Sequence, residues 1–300
     1  MNLSKNLFFY FLLFIYSTLG GQNFVDLASY GFQLAPNNRT ENTLGDETDL
    51  TDMYWNVKLP YKRTNGDIIL ASLSSNIVNL KHSIVKSDDL QLQYHTLQLA
   101  YTKNWSEKWQ TMIMYMPRLS SDCKDISGED FQNAGLLMLI HKINPELKLK
   151  YAFYANNELP GLYLLPILGY EWLPTPKLSL FGNIPITSTI RYQFHEKFGA
   201  GLFLLGLTSS YRLSENKNSN YVQKFTMEAT CFIETNITKN LIFWTGIGRS
   251  ANRRYSEYNK DNRYDFKIMT AEFGEERIPI NNGFANGWFY ECKLLYRIFP

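Results

Sequence analysis

The last residues of the chain, GWFYECKLLYRIFP, alternate between apolar positions and positions of mixed character. The apolar set comprises Trp288, Tyr290, Cys292, Leu294, Tyr296 and Ile298, and the mixed set comprises Phe289, Glu291, Lys293, Leu295, Arg297 and Phe299. Successive side chains of a strand point to opposite faces, so the pattern predicts a β-strand with one apolar and one charged face. The apolar face belongs either in a soluble core or against lipid.

The same period of two residues recurs from residue 24 to the end of the chain, with little sign of an amphipathic helix. In YVQKFTMEATCFIETN, one face carries Phe225, Met227, Ala229, Cys231 and Ile233, and the other carries Lys224, Thr226, Glu228, Thr230 and Glu234. A further strand is predicted to place Ile186, Ile190, Tyr192 and Phe194 opposite Thr187, Thr189, Arg191 and Gln193. Strands are therefore the predicted building blocks of the whole domain.

Connections of two lengths alternate along the chain. Short polar turns are predicted at 63–66, 103–107, 144–146, 174–176, 195–197 and 238–240, and longer hydrophilic loops at 36–52, 78–89, 120–130, 214–220 and 250–287. One rim of short turns and one rim of long loops is typical of an outer-membrane barrel, and a β-sandwich has no reason to sort its connections so regularly. The interpretation is an all-β fold: a closed antiparallel transmembrane β-barrel of 12–14 strands, preferably 14, with short periplasmic turns and long extracellular loops. Residues 182–185 are either a tight turn or a bulge.

Composition narrows the choice further. Aromatic residues make up 15% of the chain and charged residues 19%, and aromatic rings are favoured at membrane–water interfaces. The mean hydropathy of −0.27 excludes a bundle of membrane helices, whereas a β-barrel needs only half of each strand to be apolar. The formal net charge of +2 gives no reason to expect nucleic acid as a partner.

The N-terminus has the order of a secretory signal. Lys5 precedes an apolar stretch from Leu7 to Tyr16, and small residues follow up to Gly21. We therefore expect residues 1–21 to be a signal peptide and residues 22–300 to be a single outer-membrane barrel domain. The expected partners are outer-membrane lipid and, during insertion, the barrel-assembly machinery.

Motifs for catalysis are absent from the sequence. It contains no nucleophile elbow, P-loop, dinucleotide fingerprint or His-Glu-x-x-His motif, and its three cysteines suit neither a disulfide framework nor a zinc site. His141 is a candidate for an inward polar residue near a strand end. The chain is accordingly not expected to be an enzyme, and no cofactor or metal is predicted.

Charged residues on the faces opposite the apolar ones are the candidate binding residues. They are Lys148, Lys150, Arg191, Lys224, Glu228, Glu234, Glu291, Lys293 and Arg297. A Lys or Arg facing lipid at the bilayer midplane costs about 2–4 kcal/mol, so these side chains are expected to face the lumen. There they either line a water-filled path or pair with one another and close it, and their mixed signs favour substantial pairing.

Three functions remain open. The first is a pore or transporter for a small solute, and the second is a closed-lumen structural or surface-binding barrel that acts through its long loops. The third and least favoured is a membrane-embedded hydrolase that uses the final loop. Its candidate residues are Arg253, Arg254, Asp261, Arg263, Asp265, Glu275 and Glu276.

Several stretches carry a family resemblance. They are NVKLPYKRTNGD, LQLAYTKNWSEKWQ, LPGLYLLPILGYEWLPTPKLSLFGNIP and SSYRL. With their flanking strands they resemble a family of uncharacterised outer-membrane β-barrel proteins of Gram-negative bacteria, known only as a domain of unknown function. The resemblance implies the barrel but supplies no functional residue. Outer-membrane barrels usually finish on an aromatic residue, whereas this chain ends on Pro300, and Phe299 falls on the charged face of the alternation.

Overall fold

The structure, a computed structural model, describes residues 24–39, 47–81, 89–214, 220–280 and 287–299. Its strands are β1 (Val25–Arg39), β2 (Glu47–Lys62), β3 (Ile68–Leu80), β4 (Leu90–Asn104), β5 (Trp109–Ser121), β6 (Phe131–Asn144), β7 (Leu147–Glu158), β8 (Gly161–Thr175), β9 (Leu178–Ile184), β10 (Thr187–His195), β11 (Phe198–Arg212), β12 (Tyr221–Asn236), β13 (Leu241–Tyr258), β14 (Phe266–Ile268), β15 (Ala271–Phe273) and β16 (Trp288–Ile298). A single 3₁₀ turn spans Gly128–Asp130 in these ranges. The expected signal peptide, residues 1–21, lies outside the described residues.

The strands form a closed antiparallel barrel. Strands β14 and β15 are a separate hairpin, and the other fourteen pair with their neighbours along the chain. Strand β16 pairs with both β13 and β1, which closes the cylinder. The predicted fold class and the preferred count of fourteen strands are confirmed.

Both ends of the barrel have the predicted character. The turn end holds the short connections after β2, β4, β6, β8, β10 and β12, the start of β1 and the end of β16. The loop end holds the other connections, of which those after β7 and β9 are tight turns as well. Residues 182–185 belong to a tight turn rather than a bulge, because the Ile186 N–H donates to the Asn183 carbonyl at 2.7 Å. Several loops are shorter than predicted because β1 continues to Arg39 and β13 to Tyr258.

The outer surface of the barrel is an apolar band. Exposed side chains include Leu59 at 62%, Ile113 at 61% and Leu137 at 56%. Five of the six tryptophans are exposed as well: Trp55, Trp105, Trp109, Trp172 and Trp288. Such a band, with aromatic rings near its edges, is the lipid-facing surface of a transmembrane barrel. No helix within the described ranges has the length and apolar character needed to cross a membrane.

Two side chains lie on the face opposite to the one expected. His141 pairs across the strands with Trp109, and the two rings stack on the outer face with centroids 3.9 Å apart, so His141 is not inward. Ile186 does not share the outer face of Ile190, because it lies in the β9–β10 turn, where the strand alternation has not yet begun. It packs instead against the apolar cluster of Tyr163 and Ile167 inside the barrel.

Strand β11 leaves the barrel wall near the loop end. Its pairing with β10 ends at Leu205, because β10 is only nine residues long. The segment from Gly206 to Arg212 then runs to β5, where Arg212 pairs in parallel with Ser121. Five strands separate β5 from β11 around the wall, so this segment crosses the lumen. We call residues 206–214 the crossing segment.

The crossing segment divides the loop-end lumen into two parts. One part is filled by an apolar cluster that we call the loop-end plug: Ala35, Leu50, Val78, Leu80, Leu90, Leu92, Tyr211, Leu213, Val222, Tyr255 and Phe289. The other part lies against β6, β7 and β8 and contains the apolar side chains of Tyr163, Leu165 and Ile167. Burying these groups in the interior stabilises the closed arrangement of the loop end.

At the turn end, Asp67 anchors the β2–β3 turn to β4. The Tyr101 hydroxyl donates to its carboxylate at 2.6 Å, the Asn104 N–H at 3.0 Å and the Lys103 ammonium at 3.2 Å. These contacts, that of Tyr101 first, hold the pKa of Asp67 well below its usual range. These hydrogen bonds hold the turn between β2 and β3 in place against β4.

The depressed pKa of Asp67 predicts a pH dependence of stability. The contribution is fully present above about pH 4, the pKa of an unfolded aspartate, and is lost as the pH falls through the lower pKa of the folded state. Urea unfolding in lipid vesicles should therefore show wild type more stable than Asp67→Asn at neutral pH, with the difference shrinking in acid. A difference that stays constant down to about pH 2 would contradict the assignment.

Candidate functional site: the lumen and its turn-end cavity

The structure places all nine candidate binding residues on the inner face of the wall. They come together in five ion-paired groups rather than as one ring. The pairs are Lys148 and Lys150 with Glu171, Arg191 and Arg297 with Glu234, Arg297 with Asp26, Lys224 with Asp52, Glu228 with Arg253, and Lys293 with Glu291. Their inward position follows from the strand alternation, since the neighbouring residues on each strand face lipid.

The largest group, of four residues, joins four strands near the turn end. Glu234 on β12 accepts from Arg191 Nε on β10 at 2.5 Å and from Arg297 on β16 at 3.0 and 3.1 Å. Arg297 also donates to Asp26 on β1 at 2.6 and 3.2 Å. Paired forks of this geometry are among the stronger charge-assisted hydrogen bonds. They tie the first and last strands of the barrel, β1 and β16, to β10 and β12.

The other groups hold the remaining walls together. Lys150 lies 2.5 Å and Lys148 3.2 Å from Glu171, which links β7 to β8. Lys224 on β12 lies 3.2 Å from Asp52 on β2, with three strands between β12 and β2 in the wall. The Lys224–Asp52 contact reaches across part of the interior and narrows the path there, whereas Lys148 and Lys150 pair with Glu171 along the wall. Within the described ranges the acidic and basic groups alternate and form no continuous ring of like charge.

A cavity of about 250 Å³ remains open in the turn-end half of the lumen. Its aromatic lining consists of Phe24, Tyr54, Phe181, Phe203, Phe232 and Trp244. The Lys293 ammonium lies 4.0 Å from the ring centroid of Trp244 and 4.8 Å from that of Phe203, both within cation–π range. Arg297 stacks on Phe24 at 3.6 Å. The cavity thus combines flat apolar walls with cationic groups held in fixed positions.

Cations outnumber anions around this cavity. Lys58, Arg191, Lys293 and Arg297 line it together with two carboxylates, Asp26 and Glu234. Glu291 lies just outside the lining and pairs with Lys293 at 3.1 Å, so one positive charge remains in excess. Among the described residues, Lys58 has no carboxylate within ion-pair distance. The unmatched charge is therefore assigned to Lys58.

The candidate residues of the final loop do not form a site. Arg253 faces the lumen and pairs with Glu228 at 2.8 Å, whereas Arg254 faces outward. Asp261, Arg263, Asp265, Glu275 and Glu276 are exposed, and no ion pair joins them within the described ranges. The described part of the chain also contains no group of three residues suited to hold a metal ion.

Part of the final loop instead seals the wall above the short β9–β10 hairpin. Strand β14 pairs in parallel with Leu162–Leu164 of β8. Arg277 lies 2.5 Å from Glu272 of β15 and stacks on Tyr264 at 4.8 Å. Burial alone would raise the pKa of Glu272, but hydrogen bonds from Arg277 and Lys267 outweigh it and hold that pKa below its usual value. Arg277 also donates to the Tyr221 hydroxyl at 3.1 Å and to Gln223 Oε1 at 2.9 Å, both on β12, and so fixes the hairpin against the barrel.

Several functional residues were missed by the sequence reasoning. The partners Asp26 and Asp52 lie far along the chain from the charges they neutralise, so no local spacing indicates them. Glu171 lies opposite Lys148 in the β7–β8 hairpin, so only the register of that hairpin indicates it. A signal for the aromatic lining does exist: in LIFWTGIG both faces of the strand are apolar, which places Trp244 inside. A strand of a membrane barrel that is apolar on both faces indicates an apolar patch in the lumen.

Comparisons with known proteins identify a family and several similar structures without assigning a reaction. The family described as "Domain of unknown function (DUF6268)" matches residues 46–297. No curated protein matches the sequence. An outer membrane channel from Pseudomonas putida F1 is similar in structure, with 8% identity, coverage of 94% of this chain and 97% of that chain, and a TM-score of 0.45. A NanC porin has 8% identity, coverage of 90% and 100%, and a TM-score of 0.39. A deltaS2 mutant of the TodX monoaromatic hydrocarbon channel has 9% identity, coverage of 91% and 90%, and a TM-score of 0.39.

Proposed function

We propose that this chain, which belongs to the DUF6268 family, is a gated outer-membrane channel for small solutes. In this proposal the turn end faces the periplasm, the loop end faces the cell exterior, and the crossing segment of β11 is the gate. The chain acts as a conduit, not as an enzyme. The apolar outer band supports the membrane location, and the polar, ion-lined interior supports a path for solutes.

The observation that carries the proposal is the unequal attachment of β11. Along β12 it is paired over fifteen positions, whereas its tip meets β5 in a single paired position. A small number of further hydrogen bonds secure the tip. Ser120 Oγ donates to the Ser210 carbonyl at 2.6 Å, Asp122 N–H to the Arg212 carbonyl at 3.0 Å, Gln132 Nε2 to the Ser210 carbonyl at 3.0 Å and Ser214 N–H to the Asp122 carboxylate at 3.1 Å. A hydrogen bond contributes about 0.5–1.5 kcal/mol net, so the tip can separate from β5 without loss of the barrel.

Arg212 adds an electrostatic latch to this contact. Its guanidinium lies 3.0 Å from Asp125 and 3.4 Å from Asp130, both in the β5–β6 connection. The arginine side chain is buried while Asp125 is partly exposed, so water can replace the Asp125 contact on opening. A latch at the rim of the barrel gives the gate two defined positions rather than a continuous range.

A second candidate function is the closed-lumen barrel that acts through its surface loops. The loop-end plug favours it, because eleven buried apolar residues fill the lumen beside the crossing segment. In that case the crossing segment is a permanent partition, and the loops at that end carry the activity. The two functions differ in whether the segment moves.

A disulfide across the gate tests the proposal. The variant Ser121→Cys/Arg212→Cys, with Cys123→Ser, Cys231→Ser and Cys292→Ser to prevent other pairings, places two thiols on paired residues, a separation that suits a disulfide. In planar bilayers we expect no conductance from the oxidised protein, and channel openings that appear on reduction with dithiothreitol. The triple serine variant without the new cysteines should not respond to the reductant. Closed behaviour in both redox states would favour the permanent partition.

A further inference from the structure

We infer that the turn-end cavity is a binding site for a small organic anion with a flat apolar body, and that Lys58 is its anchor. The inference rests on the proposed function, since it names the class of solute that such a channel would take. It draws on a different part of the lumen from the gate: the cavity between β1, β2, β9 to β13 and β16.

The charge of the ligand follows from the pairing around the cavity. Glu234 and Asp26 occupy both arginines, and Glu291 occupies Lys293. Lys58 has no carboxylate within ion-pair distance among the described residues, and Asp26, which attracts it from further away, is already paired with Arg297. Its side chain points into the lumen beside Asn56 and Tyr54. An ammonium group removed from bulk water without a counter-charge is destabilising, and an anionic ligand removes that cost when it binds.

The shape of the ligand follows from the walls. Trp244 is only 4% exposed and stacks against Phe232, with ring centroids 5.0 Å apart. The walls are therefore apolar and rigid, which favours an apolar ligand body, and the six aromatic side chains of the lining leave few free hydrogen-bonding groups for a polyhydroxylated solute. At about 250 Å³ the cavity lies below the range of about 300–1,000 Å³ typical of drug-sized ligands. A single-ring carboxylate is a solute of the right size and chemistry.

The other three cations of the lining favour an anion through the positive electrostatic potential that they create, although they do not bind the anion directly. Arg191 and Arg297 are fixed by Glu234, and Lys293 is fixed by Glu291 and the ring of Trp244. They raise the electrostatic potential of the cavity but keep few free donors. Lys58 is the flexible ammonium that can follow a carboxylate into place. This division of roles makes Lys58 the residue whose removal is most informative.

Tryptophan fluorescence provides a direct binding assay in detergent, with no requirement that the channel open. Trp244 is the one buried residue of the six tryptophans, so a ligand in the cavity changes its emission while the lipid-facing rings stay in detergent. The probes are benzoate, benzamide and benzamidine, which share a ring and differ in charge. We expect benzoate to bind about tenfold or more tightly than benzamide, in line with a charge-assisted contact, and benzamidine to be excluded.

Two variants assign the effect. Lys58→Gln should abolish the preference for benzoate over benzamide, whereas Lys177→Gln, an exposed lysine in the β8–β9 turn, removes the same charge and should preserve it. Heat-dependent migration on gels verifies that both variants are folded. Equal binding of benzoate and benzamide to wild type, absence of binding, or an unchanged preference in Lys58→Gln would overturn the inference. If benzoate binding fails but conductance still depends on the redox state, the proposed gate is supported and the binding site is not. If benzoate binds as expected but conductance does not depend on the redox state, the binding site is supported and the gate is not.

Discussion

Replacing Leu213 with alanine should raise the open fraction of the channel by about 30-fold or more. Leu213 follows the tip of β11, is fully buried and packs in the loop-end plug. Large-to-small substitutions at such positions cost about 2–5 kcal/mol. If the segment leaves the plug when the gate opens, the substitution destabilises the closed state and not the open state. Because 1.36 kcal/mol corresponds to a factor of about ten in an equilibrium constant, a cost of about 2 kcal/mol shifts the closed–open equilibrium about 30-fold. Single-channel recordings in planar bilayers measure the open fraction directly.

Leu204→Ala is the matched control for this experiment. Leu204 lies on the same strand, but it faces outward and is 41% exposed. Its truncation removes the same atoms without opening a cavity in the plug, so the open fraction should stay near that of wild type. If Leu213→Ala lowers the unfolding temperature yet leaves conductance unchanged, the plug is a fixed core and the crossing segment is not a gate.

The barrel could be predicted from the sequence because its rule is local. Each strand alternates between lipid and lumen, so a stretch such as Leu147–Phe153 reveals its faces without reference to its partners. The strand order follows equally simply, since every barrel strand pairs with its neighbours along the chain. Turn positions were also predictable, because short polar segments interrupt the alternation at regular intervals.

The crossing segment could not be predicted in this way, although the sequence contains a sign of it. The alternation of side chains continues through the tip of β11, and Tyr211 and Leu213 are at the positions that face inward. The positions that would face lipid, however, are occupied by Thr208, Ser210 and Arg212, whose polar side chains are unsuited to lipid. In the structure these side chains face β5 and β6 to β8 instead, and Ser210 accepts hydrogen bonds from Ser120 and Gln132. Polar residues at the outward positions of a strand, where its neighbours carry apolar ones, therefore indicate that the strand leaves the wall.

The cavity was beyond prediction for a different reason. Which inward charges meet depends on the closure of the barrel, and Arg297 finds Asp26 across 271 residues of sequence. The excess charge at Lys58 emerges only after all these pairs are assigned. Inward position is a local property of the strand, whereas pairing is a property of the closed cylinder.

The pairing of Glu234 with two arginines should make it the most sensitive charged position for stability. In Glu234→Ala, Arg297 keeps Asp26, but Arg191 loses its carboxylate while its side chain remains buried. Breaking a buried pair in this manner costs about 3–5 kcal/mol, because an uncompensated charge is left in the interior. Urea unfolding of the barrel in lipid vesicles should show a loss of this size. The exposed Glu196→Ala, in the β10–β11 turn at the same end, should change the free energy of unfolding by less than about 0.5 kcal/mol.

A second substitution separates the stranded charge from the loss of packing. Adding Arg191→Met to Glu234→Ala removes the uncompensated guanidinium and keeps an apolar side chain of similar length near Phe24, so stability should partly return. If the loss arose from a cavity at Glu234, the double variant would be no more stable than Glu234→Ala alone. Recovery would show that losing both partners of the ion pair destabilises this barrel less than leaving one buried charge without its partner. By the same reasoning, the proposed ligand carboxylate would stabilise the protein by supplying the missing partner of Lys58.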